Sequence, residues 1–457
     1  MKNIILNTDS YKASHYLQYP EGTTRISSYI EPRGGVYPEV LFFGLQMFLK
    51  EYFLEPITRS NITEAAEFFS DHGLPFNKKG WQHILDQHDG KLPIAIEAAP
   101  EGLILPTGNV VVQMTNTDNQ CAWLTSYLET ALLRGVWYPT TVATISWQCK
   151  KIIKSYLEKT ADSLESLTFK LHDFGARGAS SLETAALGAA AHLVNFYGTD
   201  TVAGVVACRK YYHELMAGFS VPAAEHSTIT SWGKENEVEA YRHILDKFSG
   251  DDEFVAVVSD SYDLWHAIDE LWGTQLKQEV MKNRGTLVIR PDSGNPVKIV
   301  PEAIERLMNK FGYVTNSKGY KVLPNYLRVI QGDGISSPAV IEEILSVMET
   351  ARLSAENVAF GMGGGLLQRV NRDTLSFAMK TSAIEINGQW QDVYKDPITD
   401  TSKRSKRGRL ALIAENGIKT VSHDELKGRS NLLRPVYRNG ELLNDWTLFE
   451  IRNLASR

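Results

Sequence analysis

The sequence predicts an α/β fold: a series of strand–helix units with polar strand ends, accompanied by a second, β-rich domain built from both chain ends. Two observations carry the first part. Five short apolar stretches each run directly into a Gly- or Asp-bearing phrase. Markers in the last four phrases, Asp260, Asp292, Asp333 and Gly363, recur at steps of 32, 41 and 30 residues, about the length a strand–helix–strand crossover needs. The third observation is that both chain ends lack this rhythm and read as short strands between turns.

Residues 1–145 are mixed. Arg25–Ile30, Ile94–Ala98 and Val110–Met114 are strand-like and Phe43–Phe53 is helix-like. Ala99-Pro100-Glu101-Gly102 and Leu105-Pro106-Thr107-Gly108 punctuate the strands as turns. Residues 146–381 hold the repeated units. Thr168–Leu171 runs into HDFGARG, Phe254–Val258 into SDSYD, Thr286–Ile289 into RPDSG, Leu327–Ile330 into QGDG, and Val358–Phe360 into GMGGG. Helix-like stretches such as Pro301–Phe311 and Pro338–Thr350 fill the gaps. One such phrase is ordinary turn chemistry. Five in series mark the carboxyl-end face where (β/α) barrels and open α/β sheets place their sites. Residues 382–457 turn strand-like again at Ala383–Ile386 and Leu410–Ile413, and are expected to pack with the amino-terminal region.

Composition narrows the function classes. The 457 residues are 43% hydrophobic and 22% charged, which excludes wholesale disorder. A net charge of −6 argues against nucleic acid as a main partner. Cys121, Cys149 and Cys208 are too scattered for a disulfide framework or a CxxC metal site. The opening MKNIILNTDSYK does not read as a signal peptide, and no window approaches the ~20 apolar residues of a membrane span. A cytoplasmic setting is expected.

Several phrases suit anions. In HDFGARG (172–178) an aromatic residue, an arginine and two glycines meet at a strand end, and Ser180 with Glu183 fits a capping box for the following helix. Gly361–Gly365 is either a phosphate cradle or a close-packed turn. His226, flanked by Glu225 and polar residues, suits a nucleophile or proton carrier. No His-x-His or HExxH pattern supports a zinc hydrolase. Asp292 and Asp333 suit ribose hydroxyls or Mg²⁺, or are Asx-turn residues. The basic run 403–409 reads first as a solvated face.

Taken together, these phrases resemble the nicotinate/nicotinamide phosphoribosyltransferase family, on its nicotinamide side. The similarity runs nearly end to end and includes TDSYKASHY (8–16), FGLQ (43–46), HDFGARG (172–178), GTDTVAG (198–204), VPAAEHST (221–228), VSDSYD (258–263), IRPDSGNP (289–296), VIQGDG (329–334), FGMGGGLLQ (360–368) and KRSKRGRL (403–410). The resemblance implies an irregular (β/α) barrel of the type II phosphoribosyltransferase kind beside a β-rich domain from both ends. It also implies a homodimer with its active site at the interface. The implied reaction makes nicotinamide mononucleotide from nicotinamide and 5-phosphoribosyl 1-pyrophosphate, with Mg²⁺ as cofactor and ATP as coupling substrate.

By the same resemblance, Phe174 stacks on the pyridine ring, Tyr11 of a second subunit covers its other face, and Asp200 accepts the carboxamide N–H. Arg177, His226 and Arg290 lie along the pyrophosphate. Asp292 holds ribose hydroxyls, and Gly332, Asp333, Gly363 and Gly364 hold the ribose phosphate, with Arg372 nearby. His226 is the residue phosphorylated from ATP and Asp260 orients it. Arg33, Lys380, Lys395 and Lys403 match basic positions on the phosphate side. Vertebrate members carry tyrosine where Ala176 stands. The competing readings are nicotinate phosphoribosyltransferase, a non-catalytic binding protein on the same scaffold, and a Schiff-base lyase, for which no strand-end lysine stands out.

Overall fold

A computed structural model describes residues 3–248, 250, 253–399 and 404–457. The chain divides into two compact units: residues 1–144, 207–214 and 371–457 form one, and residues 145–206 and 215–370 the other.

The second unit contains six parallel strands in the order Gly198–Thr199, Leu171–Asp173, Val358–Met362, Leu327–Gln331, Thr286–Arg290, Phe254–Val258. Residues 219–224 join its two edges. Phe219 bridges Gly198 and Ala223 bridges Ala256, both in parallel sense. Thr199 N donates to Phe219 O at 3.0 Å, and Ala224 N to Ala256 O at 2.8 Å. This seam is too irregular to be a strand, because Pro222 has no N–H to give to a ladder. The result is an irregular barrel, as the family resemblance implied.

The intervening helices are set by local chemistry. Pro296 and Pro338 open the helices Pro296–Phe311 and Pro338–Thr350, where a fixed φ and a missing N–H cost nothing. Asn295 caps the first by accepting from Val297 N. The helix after HDFGARG spans Leu182–His192, and its cap is Ser181, which accepts from Thr184 N. The Ser180/Glu183 box expected from the sequence is therefore displaced by one residue. Glu165–Phe169 is 3-10 helix, so the first barrel strand starts at Leu171, later than the expected 168–171 stretch.

The first unit is organised by a seven-stranded antiparallel sheet in the order Gln389–Asp392, Phe377–Ile386, Thr23–Pro32, Val112–Asn116, Ile94–Ala98, Arg434–Arg438, Glu441–Leu442. Both chain ends thus supply strands. The unit's carboxyl-terminal segment begins at 371, before the expected 382, because Phe377–Ile386 is one long strand paired along Thr23–Pro32. Residues 207–214 also belong here: Tyr212 is buried and donates to Glu101, whose carboxylate also accepts from Gly44 N and Gln46 N. Gly44 has φ +104, and a Cβ there would lie 2.3 Å from Pro139. Only glycine fits.

The basic run is largely committed within this unit. Lys406 pairs with the buried Glu31, its N–H donates to Tyr29 at 2.8 Å, and Arg404 pairs with Asp396. Arg407 and Arg409 lie over the rings of Tyr394 and Trp390. Lys403 lies outside the described residues. Among the described residues, no helix is long and apolar enough to cross a membrane.

Candidate active site

The candidate site is built at the carboxyl ends of the barrel strands, from the polar phrases that follow each one. Phe174 follows Leu171–Asp173, and its N–H donates to Met362 O at 3.0 Å. Its ring lies against Gly361, where a Cβ would come within 2.0 Å of the ring. Asp173 beneath it is buried, and its carboxylate accepts from Gly175 N and Thr199 Oγ1 at 2.8 and 3.1 Å. Burial pushes the Asp173 pKa up, against those hydrogen bonds. The Asp173 carbonyl accepts from Asp200 N at 3.0 Å, which ties the base of one loop to the next. Ser220, on the seam, donates to Asp200 Oδ1 and turns that carboxylate to a fixed orientation.

These residues stand at one end of a cavity of about 470 Å³ inside the barrel. Phe174, Asp200 and Arg290 line its carboxyl end, and Lys170, Arg328 and Glu356 its amino end. Ala256, Val288 and Ile330 supply apolar wall between. His172 also lines it, and burial pushes that imidazole's pKa down while Asp200 opposes the shift.

The second cluster is ionic. His226 begins the short helix His226–Thr230 after the seam. Its Nδ1 is 3.0 Å from Ser261 Oγ, while its Nε2 faces Asp292 Oδ2 at 3.7 Å and Asp260 Oδ1 at 3.9 Å. The ring's hydrogen bond is therefore made by Ser261, and Asp260 lies beyond hydrogen-bond length. Asp260 Oδ2 instead accepts from Asp292 N and Ser293 Oγ. Asp260 Oδ1 and Arg290 Nε are buried without a hydrogen-bond partner among the described residues. Arg290 Nε is 3.7 Å from Asp292 Oδ1. Burial raises the Asp292 pKa, Arg290 and His226 oppose it, and Asp260 and Asp333 add to it. Gly332 closes the cluster: a Cβ there would lie 2.1 Å from Asp292 Oδ1. A Cβ on Gly364 would meet nothing within 4 Å, and one on Gly363 nothing nearer than 3.5 Å, so the cradle is open. Arg177 is exposed on the turn Ala176–Gly178.

The barrel unit thus carries Phe174, Arg177, Asp200, His226, Asp260, Arg290, Asp292, Gly332, Asp333, Gly363 and Gly364. The remaining described candidates lie in the antiparallel unit. Burial pushes the Lys380 pKa down; Glu129 opposes the shift and the charges of Arg33 and Lys395 add to it, so Arg33, Lys380 and Lys395 are electrostatic neighbours. Lys12, inside the TDSYKASHY phrase, acts on Lys380 in the same way and pairs with Glu129 at 2.6 Å. Arg372 pairs with Asp373 at 3.0 Å. Tyr11 is 58% exposed, edge-on to His15.

A profile of the nicotinate phosphoribosyltransferase family matches residues 169–441, and the nicotinamide phosphoribosyltransferase amino-terminal domain matches residues 3–96. The chain is 53% identical over 460 residues to a nicotinamide phosphoribosyltransferase of Xanthomonas campestris pv. campestris, covering 99% of this chain and 98% of that protein. The chain belongs to the nicotinate/nicotinamide phosphoribosyltransferase family. A second relative in the family, the nicotinamide phosphoribosyltransferase of Acinetobacter baylyi, is 33% identical over 97% of this chain and 95% of its own length. Two solved structures share the fold. The nicotinate-nucleotide pyrophosphorylase of Pyrococcus furiosus aligns with a TM-score of 0.64 at 18% identity, covering 99% of this chain and 95% of that one. Human nicotinic acid phosphoribosyltransferase aligns at 0.60 and 15%, covering 98% and 93%.

Three further residues shape this site, and they differ in how far the sequence alone reveals them. Ser261 was within reach, since it stands inside SDSYD beside Asp260. Ser220 and Asp173 were not, because their roles depend on which loop the barrel closure brings alongside.

Proposed function

We propose that the protein is a nicotinamide phosphoribosyltransferase, a pentosyltransferase of NAD salvage. The observation that carries this reading is the pairing of the Phe174 ring with the Asp200 carboxylate at one end of the barrel cavity. The full-length relatives and the matched amino-terminal domain support it.

In this reading the nicotinamide ring lies on Phe174 and its amide N–H donates to Asp200. The pyridine nitrogen attacks ribose C1 and pyrophosphate leaves through an oxocarbenium-like transition state. Arg177 and Arg290 stabilise the negative charge that develops on the leaving group. Asp292 holds the ribose hydroxyls, while Asp333, Gly363 and Gly364 let phosphate oxygens approach backbone N–H groups; Gly332, whose own N–H donates to Pro291 O at 3.1 Å, contributes by leaving room beside Asp292. The attacking nitrogen carries no proton, so the protein's task is placement. Asp292, Asp333 and the unpartnered Oδ1 of Asp260 are the hard oxygen donors Mg²⁺ prefers. They would hold it, and the ion would supply further charge neutralisation on the pyrophosphate.

ATP coupling would act through His226. With Nδ1 held at 3.0 Å from Ser261 Oγ and donating to it, the Nε2 lone pair, on the side of Asp260 and Asp292, is the one free to take the phosphoryl group as ADP leaves. Ser261 is thus a positioning residue. Ser261→Ala removes a hydrogen bond worth ~1 kcal/mol, so ATP-stimulated turnover should fall about fivefold with nicotinamide KM unchanged, and Ser261→Thr should restore it. His226→Ala should take up no acid-labile label from γ-labelled ATP. Equal turnover in Ser261→Ala, or equal labelling of His226→Ala and wild type, contradicts these roles.

A homodimer in which Tyr11 of a second copy covers the base, with Arg372, Arg33, Lys380, Lys395 and Lys403 on the phosphate side, completes the proposal. The three buried free thiols accord with a reducing cytoplasm. The test is competition. Purified protein with phosphoribosyl pyrophosphate, Mg²⁺ and equal nicotinamide and nicotinate should yield nicotinamide mononucleotide. Predominant nicotinate mononucleotide would favour the other branch of the family, and no nucleotide at all would leave only the fold.

A further inference from the structure

In the antiparallel unit, three side chains outside the proposed chemistry point at one spot. His83 Nε2 lies 2.8 Å from Asp118 Oδ2, and His88 Nε2 lies 2.7 Å from the same oxygen. The three atoms lie within 4.8 Å of one another. We propose that His83, His88 and Asp118 form a binding site for a transition-metal dication of the zinc class.

The donor set fixes the class. Two imidazole nitrogens and one carboxylate oxygen suit Zn²⁺, Ni²⁺ or Cu²⁺, whereas Mg²⁺ and Ca²⁺ favour all-oxygen sites. A tetrahedral ion with bonds of about 2.0–2.1 Å needs its donors about 3.3–3.4 Å apart. Each His–Asp pair must therefore open by roughly half an ångström, within ordinary side-chain adjustment. The three side chains are 19%, 26% and 19% exposed, which leaves room for entry and for water as a fourth ligand.

The frame around the donors is tight. Asp118 Oδ1 accepts from Gln120 N at 2.7 Å and its carbonyl from Asn116 Nδ2 at 2.7 Å, so Oδ2 is the oxygen turned to the histidines. The helix Lys78–Gln87 is anchored by buried Trp81, edge-on to Trp123 at 5.0 Å. Residues five apart on a continuous helix point roughly 140° away from each other. His88 escapes this because it is the C-cap, with φ −127 and ψ 15, beyond the last helical residue. The loop after it is pinned where Ile57 N donates to Gly90 O, and a Cβ on Gly90 would lie 2.2 Å from Ile57 O. Hydrogen bonding alone uses the same atoms, with each ring carrying its proton on Nε2. Metal binding requires that proton to move to Nδ1 or leave.

The test uses the full-length protein after chelator treatment, titrated with Zn²⁺ by calorimetry and with Co²⁺ by visible absorption. Wild type should bind one equivalent of Zn²⁺, show the absorption of four-coordinate Co²⁺, and unfold at higher temperature when Zn²⁺ is present. His83→Gln and His88→Gln, which keep a donor to Asp118 and so preserve the metal-free fold, should each weaken binding at least tenfold. The double variant should lose both the binding and the thermal shift, while His226→Ala keeps them. No binding by wild type at a metal concentration equal to the protein's overturns the proposal. So does unchanged binding in the folded double variant, or loss of binding in His226→Ala, which would move the ion to the barrel cluster.

Discussion

Replacing Asp200 with serine should lower the preference for nicotinamide over nicotinate by at least about a hundredfold. Two effects act in the same direction. An amide N–H donating to an ionised carboxylate is worth roughly 1.5–3 kcal/mol. Nicotinate would bring a second negative charge to that point, and at ~4 Å with an effective dielectric of ~20 the repulsion is about 4 kcal/mol. Asp200 is exposed in the single chain, so solvent screening discounts both. Halving their sum still leaves about 3 kcal/mol, more than the ~2.7 kcal/mol that a hundredfold ratio requires. Ser220 donates to Oδ1 and so presents Oδ2 to the base. The measurement is kcat/KM for each base with wild type and variant. An unchanged ratio removes Asp200 from base selection.

The second large effect is expected at Gly332, a residue with no side chain to contribute. A methyl group there would sit 2.1 Å from Asp292 Oδ1 and 2.9 Å from Arg290 Cδ. Real Cβ contacts are not that short, so the carboxylate and the arginine must both shift. Displacements of about 1 Å in a positioned site can cost ~10²-fold in rate. Gly332→Ala should therefore lower kcat/KM for phosphoribosyl pyrophosphate by about a hundredfold. It should still fold, since the clash is with side chains and not with the backbone of Leu327–Gln331. Near-normal kinetics in a folded Gly332→Ala would show that the Asp292 and Arg290 positions are not critical.

The strand-end phrases made most of the barrel legible, because strand, turn and polar residue are adjacent in the chain and local chemistry specifies them. Pro338–Thr350 and Phe254–Val258 lie where the sequence puts them. The seam at 219–224 was not legible. Its residues lack strand alternation, and only the two open edges of the sheet give it partners. The 3-10 helix Glu165–Phe169 misled in the other direction, since Thr168 and its apolar neighbours favour a strand while i to i+3 bonds such as Lys170 N to Leu167 O form instead. At the site, Asp200 and His226 came from recognisable phrases, whereas the Asp173 and Ser220 contacts arise from loop juxtaposition. The His83–His88–Asp118 convergence has no sequence signature, because a helix end and a distant loop create it.

A crystal structure with nicotinamide mononucleotide bound would show whether the Asp200 carboxylate recognises the amide of a ring resting on Phe174. The expected result places the carboxamide nitrogen about 3 Å from Asp200 Oδ2, a normal hydrogen-bond length, with Tyr11 from a second copy over the ring. A product whose carboxamide faces away from Asp200, or whose ring lies clear of Phe174, would rule out base recognition by these two side chains.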